Sequence, residues 1–281
     1  MINYDGDLIQ EDTNYLNTKN RAFSHGDALL ETVRIIPGKI VFWEDHYLRL
    51  MASMRILRME IPMTFTMEFL ENEILRTLEA NSMPEGTASA QFTIFRKTAG
   101  TSTQGNNDVS FIIQTKLLVE PFYTIDMAPY VVDLFKEHYV NTDMLSTLAT
   151  NNKMLQTVGK IYALENGYQD SLMLNSSKSV VQTLNGNLFL VQGTVIKTPP
   201  LKDGCENGVL RKKIIEIIGK LGSYVIEEAS ISPFELQKAD ELFVVNTLIG
   251  IQPITSYRKA TFKSEVAKEL IGKLNALARL T

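Results

Sequence analysis

Between Glu31 and Trp43 the chain reads "ETVRIIPGKIVFW", with Val33 and Ile35 alternating before a Pro-Gly pair and Ile40 and Phe42 after it. Alternation of period two on both sides of a turn dipeptide predicts a hairpin. The period then lengthens. Trp43, Tyr47, Leu50, Met51, Met54 and Leu57 recur at helical spacing towards Pro62, so the stretch "HYLRL" is expected on a helix. A second helix is predicted over about Met67 to Asn81, then two strand-like runs, "SAQFTIFRKT" and "VSFIIQTKLL", separated by the polar loop "AGTSTQGNND". Leu118 to Met127 reads as an extended crossing segment in which Pro121 opposes helix, and the domain boundary is expected there, with residues 1–119 before it and 120–281 after it.

The second part alternates differently. A helix is predicted from about Asn151 to Asn166, with Met154, Val158, Ile161 and Tyr162 on one face and Gly167 as its stop. Short strands follow, "DSLMLN", "SVVQTL", "NLFLVQ" and "TVIKTPP", joined by Asn-Gly and Gln-Gly turns. "NGVLRKKIIEIIGKLG" predicts a helix capped by Asn207, and after "YVIEEA" and "ELFVVN" a last amphipathic helix uses Val266, Leu270, Leu274 and Leu277. The pattern implies an α+β or mixed α/β protein of two domains.

Composition narrows the function more than the fold. With 44% hydrophobic residues in 281, the chain can bury a sizeable core and is expected to be soluble and globular. A net charge of -4 with dispersed lysines and arginines offers no basic footprint for nucleic acid. No apolar run reaches the roughly 18 residues of a membrane span, and "MINYDGDLIQED" is too acidic for a signal peptide, so the expected location is the cytoplasm. One cysteine, Cys205, and three histidines, His25, His46 and His138, argue against a protein-built metal centre. Cys205 is a weak candidate nucleophile, since a lone cysteine is usually inert.

Three stretches are candidates for chemistry. "DGCENGVLRKK" turns into a helix whose first N–H groups, at Val209 and Leu210, could grip a phosphate, or it is an ordinary helix start. Arg49 in "HYLRL" could pair with an anion in a cleft or snorkel to the surface. Asn246 and Thr247 in "VVNTLIGIQP" could add hydrogen bonds to a phosphate or simply end a strand.

In this order the stretches resemble the class IV pyridoxal-phosphate enzymes, the group of branched-chain aminotransferases, D-amino-acid aminotransferases and aminodeoxychorismate lyases. "RAFSHGDALLETVRIIPGKIVFWEDHYLRL" is similar to the family's Arg-x-x-x-x-Gly-Asp-x-x-x-Glu-Thr opening and its Glu-x-His-x-x-Arg-Leu helix. "NLFLVQGTVIKTPPLKDGCENGVLR" is similar to its strand pair and phosphate-binding turn. The resemblance implies a small N-terminal α/β domain, a C-terminal domain with a barrel-like sheet, pyridoxal phosphate (PLP) between them, an amino acid or keto acid substrate, and a homodimer. A dimer also suits apolar residues such as Trp43 and Phe23, which exceed what a small domain needs. By the same resemblance Arg49, the backbone of Val209 and Leu210, and Thr247 would bind the cofactor phosphate.

The chain departs from the family at the reactive end. The family's Schiff-base lysine lies in a Lys-x-x-Asn-x-Leu-like stretch that is here "ATNNKM", with Ala149 at the lysine position. Lys153 is one helical turn on and shares a face with position 149 only if the helix already extends that far; otherwise it is an ordinary solvated lysine. Where the family has a glutamate that keeps the pyridine nitrogen protonated, "SVVQTL" has Gln182, whose neutral amide cannot hold that charge. Ala28 and Leu30 also stand where glycine and an aromatic are usual. The resemblance with these departures implies a PLP-binding or phosphate-metabolite-binding relative with impaired catalysis. The alternative is a working aminotransferase or aminodeoxychorismate lyase that uses Lys153 or an unusual mechanism.

Overall fold

The structure, a computed structural model, describes residues 1–83, 86–97 and 107–280. Most of the polar loop expected over 99–108 lies outside the described residues. The chain falls into two compact units, residues 1–122 together with 149–152, and residues 123–148 together with 153–280.

The first unit is an antiparallel sheet of β1 (Ile2–Tyr4), β2 (Asp7–Ile9), β3 (Ala28–Ile36), β4 (Lys39–Ile40), β5 (Ala88–Arg96) and β6 (Val109–Leu117), in the order β2-β1-β6-β5-β3-β4. With it go α1 (Arg21–His25), α2 (Trp43–Ile56) and α3 (Met67–Ala80). The hairpin at Pro37-Gly38 forms with Ile35 opposite Ile40, but Phe42 is not on its second strand. It adopts a left-handed conformation, φ 56°, as the residue before α2, because the Val41 N–H returns to Arg34 and the chain must then turn into the helix. The acidic side chains of Glu44 and Asp45 suit the positive end of that helix. It stops at Ile56, short of Pro62, where Arg58 takes a left-handed conformation. Thr66 caps α3 by accepting from the Phe69 N–H at 3.1 Å. Trp43 is buried and donates to the Met67 carbonyl at 3.1 Å, so it belongs to the core of this unit, whereas Phe23 is 77% exposed.

The second unit has two five-stranded sheets. One contains β7 (Val131–Val140), β8 (Asp170–Asn175), β9 (Val180–Thr183), β15 (Ser256–Tyr257) and β16 (Ala260–Thr261); the other contains β10 (Asn187–Gln192), β11 (Val195–Thr198), β12 (Val225–Glu228), β13 (Glu241–Asn246) and β14 (Gly250–Ile254). One core joins them, with Leu134, Leu172 and Val180 from the first sheet and Leu188, Leu242 and Ile254 from the second. The helices are α4 (Met154–Glu165), α5 (Val209–Leu221), α6 (Pro233–Leu236) and α7 (Glu265–Leu280). Among the described residues no helix is long and apolar enough to cross a membrane.

Helix α4 differs from the expectation in start and in face. It begins at Met154 because the preceding residues bond to β3 instead: the Ala149 carbonyl accepts from the Leu30 N–H at 2.8 Å, and the Asn151 N–H donates to the Ala28 carbonyl at 3.1 Å. Helical backbone there would release both bonds. The face carrying Met154 and Ile161 is the exposed one, with Met154 at 70%. The helix instead buries Gly159 and Ala163, and a Cβ at Gly159 would come within 2.6 Å of Leu184. Small residues let the helix approach the sheet closely, so its large apolar side chains are left outside.

Candidate functional site

In the second unit, α5 starts without the cap expected from Asn207. Gly208 is the residue before the helix and no side chain caps it; the Asn207 N–H bonds instead to the Thr147 carbonyl at 2.9 Å. Val209 and Leu210 are buried, and their N–H groups have no acceptor among the described residues. A buried, uncapped helix start leaves donors that call for a partner, and the helix dipole makes an anion the fitting one.

Side-chain amides hold the loop before α5. Gln182 Oε1 accepts from the Glu206 N–H at 2.7 Å, Asn187 Nδ2 donates to the Glu206 carbonyl at 2.8 Å, and Asn175 Nδ2 donates to the Asp203 carbonyl at 3.1 Å. Gly208 lies so close to Asn187 that a Cβ would run into its Oδ1. Asn187 opposes Val245 in the sheet, two residues before Thr247. The turn at Thr247 and the start of α5 therefore flank the beginning of β10.

Asn246 shapes that turn rather than facing a ligand with all its donors. Its Oδ1 accepts from Leu248 and Ile249, each at 3.0 Å, and its Nδ2 donates to the Asn185 carbonyl at 2.8 Å. Tyr123 Oη adds a bond to the Thr247 carbonyl at 3.0 Å. Thr247 is only partly buried, and its position is fixed from both sides.

In the first unit Arg49 is not a snorkelling surface residue. Its side chain is 14% exposed, and its Nε and Nη2 donate to the two Glu31 oxygens at 3.0 and 2.5 Å. Glu31 is buried and also bonds His46 Nδ1 at 2.5 Å. Burial pushes the Glu31 carboxyl up, but Arg49 and His46 outweigh it and hold the group below its ordinary value. The carboxylate thus fixes the plane of the guanidinium. Sequence reasoning did not single out Glu31, although it shares the apolar face of its strand with Leu29, Val33 and Ile35, where a charge needs a partner.

The segment around Ala149 is held to β3 by Ala149, Thr150 and Asn151, with Asn151 Nδ2 also donating to the Ala22 carbonyl at 2.9 Å. Ala28 and Leu30 on β3 provide the backbone partners. Since residues 149–152 are not helical and α4 begins only at Met154, positions 149 and 153 do not share a helical face, and that argument for Lys153 does not hold. Lys153 is the residue before α4, and its carbonyl accepts from the Thr157 N–H at 2.8 Å. Cys205 is buried beside Met173 and Val181, donates to the Pro199 carbonyl at 3.4 Å, and burial pushes its thiol up to about 11. It is no nucleophile at neutral pH.

Two units of mixed sheet and helix define an α+β protein, and the buried start of α5, which no side chain caps, is its candidate anion site. Residues 28–257 match the family described as Amino-transferase class IV, and the chain belongs to that family. A putative branched-chain-amino-acid aminotransferase of Methanocaldococcus jannaschii is 24% identical over 97% of this chain and 93% of that protein. An aminodeoxychorismate lyase of Vibrio harveyi is 22% identical over 91% of this chain and 94% of its own. Among solved structures, the branched-chain amino acid aminotransferase from Thermobaculum terrenum in its PLP form shares the fold with a TM-score of 0.84, at 20% identity and with 100% of this chain and 94% of that chain covered.

Proposed function

We propose that this chain binds PLP, or a phosphorylated metabolite of similar shape, without covalent attachment, and that its transaminase or lyase chemistry is absent or very weak. The observation that carries the reading is the buried, uncapped start of α5 beside the Thr247 turn, combined with an alanine at position 149. The residues present fit the phosphate: the N–H groups of Val209 and Leu210 supply neutral donors with dipole support, and Thr247 supplies a hydroxyl. The family resemblance assigns the balancing positive charge to Arg49. When bound, PLP supplies an electron-withdrawing ring and an aldehyde. This chain offers no lysine at 149 to bond that aldehyde, and Gln182, engaged with the Glu206 N–H, offers the ring nitrogen an amide rather than a carboxylate. The resemblance also supports a homodimer, and exposed Phe23 gives it apolar surface to use.

Borohydride reduction followed by mass measurement tests the proposal. Wild-type protein incubated with PLP should gain no stable adduct, its colour should be lost on dialysis, and Lys153→Ala should bind PLP as wild type does. Ala149→Lys should trap one cofactor per chain, since by the family resemblance position 149 is where the lysine that bonds the aldehyde stands. Trapping on Lys153 in the unaltered protein would overturn the reading in favour of a working enzyme.

A further inference from the structure

A pocket of about 310 Å3 opens in the second unit, lined by none of the candidate residues considered above. Its floor is Leu134 and Leu174, both part of the core between the two sheets. Pro233 and Phe234 of α6 and Tyr139 of β7 form its walls, and Lys136, Lys178 and Arg258 stand around it. It lies at the opposite end of β13 from the Thr247 turn, because α6 precedes that strand and Thr247 follows it. The volume falls at the lower end of what small-molecule sites enclose.

Several features set this pocket apart from an incidental surface dent. Its apolar parts belong to residues that would otherwise be covered or absent: Phe234 is 75% exposed beside buried leucines. Three cations gather here in a chain of net charge -4, and no carboxylate lines the pocket. Asp133 is nearby, but its Oδ1 accepts from the Leu134 N–H at 2.7 Å and meets Arg258 only at a loose 3.7 Å. The backbone is also bent to bring these groups together. The pairing of β7 with β8 shifts register between Phe135 and Val140, which turns Tyr139 to the side of Leu134 and Lys136 despite the odd spacing. Lys178 and Arg258 both sit in the left-handed region, at φ 64° and 54°, where glycine or asparagine would be less strained. Lys178 Nζ lies 3.9 Å from the centre of the Tyr139 ring and bonds its hydroxyl, so this charge is held over the pocket instead of extending into water.

We propose that this pocket is a binding site for a small amphipathic anion, an aromatic carboxylate, separate from the PLP-type site. The apolar ring would enter against Leu134 and Leu174 beside Phe234, and the carboxylate would stay at the mouth between Lys136 and Lys178, with Arg258 adding long-range attraction. A bare inorganic anion would leave the leucine floor unused, and an uncharged aromatic would leave the cations unused.

Calorimetric titration of the full chain with 4-phenylbutyrate tests this, with 4-phenylbutyramide and inorganic phosphate as controls. Saturable binding of one equivalent per chain is expected, about tenfold or more tighter than either control. Lys136→Ala combined with Lys178→Asn should weaken it about tenfold or more, and Phe234→Ala should weaken it as well. All three side chains are exposed, and asparagine tolerates the left-handed backbone of position 178, so the variants should keep the wild-type melting curve. Excess PLP should leave the titration unchanged. The proposal is overturned if 4-phenylbutyrate shows no saturable binding, if the amide or phosphate binds equally well, if folded variants bind like wild type, or if PLP displaces the ligand.

Discussion

Replacing Glu31 with glutamine should destabilise the first unit by about 3 kcal/mol, because it removes the charge that pairs a guanidinium and an imidazole inside the protein. Glu31 is buried, His46 is fully buried, and the Arg49 side chain is 14% exposed. Breaking such a pair from one side leaves the other charge without its counter-ion, which costs about 3–5 kcal/mol. The lower end applies because the glutamine oxygen still accepts one bond at the position 2.5 Å from His46 Nδ1. Urea titration followed by the fluorescence of Trp43, the single tryptophan and a core residue of this unit, reports the loss directly. The same pair sets a pH dependence. Since the folded carboxyl lies below its unfolded value, its contribution is fully present above about pH 4.5 and is lost as pH falls through the folded value. Glu31→Gln should therefore lose stability at neutral pH and be less sensitive than wild type to acid in that range. In an Arg49→Ala background the same substitution should cost about 1–3 kcal/mol less than it does alone. A neutral-pH loss below about 1 kcal/mol, or full additivity with Arg49→Ala, would refute the view that Glu31 anchors Arg49.

Gly208→Ala should destabilise the second unit by about 1–3 kcal/mol in a melting experiment, since the new methyl meets Asn187 Oδ1, and it should also weaken PLP binding measured by absorbance. Ala149→Lys with Gln182→Glu should transaminate about tenfold faster than Ala149→Lys alone, read as product formed from an amino donor. The Glu206 N–H can still donate to the new carboxylate, so thermal stability should hold. Sedimentation at micromolar concentration should give a dimer, and Phe23→Glu should shift it towards monomer.

Legibility in the sequence followed the strength of local periodicity. Strands β5, β6 and β13 were evident as apolar, β-branched and aromatic runs bounded by polar residues, and helix α3 from its helical repeat. Strand β7 was missed: in "VVDLFKEHYV" the adjacent pairs Val131-Val132 and Leu134-Phe135 break the period-two signal, and the strand is irregular in register as well. The short β1 and β2 carry too few residues to show a period. Helix α4 misled in the opposite sense, since counting large apolar residues pointed to the wrong face when Gly159 and Ala163 make the contact. At the candidate site, only the helix start itself, at Val209, was legible from the turn before it. The amides of Asn175, Gln182 and Asn187 were not, because their roles depend on strands pairing across the sheets. Only after folding do they meet the loop they hold.

That difference bears on what each end of the proposed site contributes to the fold. The Val209 and Leu210 donors are backbone groups, and the loop that presents them is fastened to the sheets by three side-chain amides. Any sequence that forms this loop and helix presents those donors. Position 149 is different, because its contribution to the fold is a carbonyl bonded to the Leu30 N–H, which any residue in extended conformation provides. A lysine there would be retained only for its amine. Its replacement by alanine leaves the pairing with β3 intact, and with it the arrangement of Ala28, Leu30 and the residues that follow on that strand. Glu31 follows directly, and its carboxylate orients Arg49. The proposed phosphate donors are thus tied to the fold, while an amine at position 149 would serve only the chemistry proposed for it.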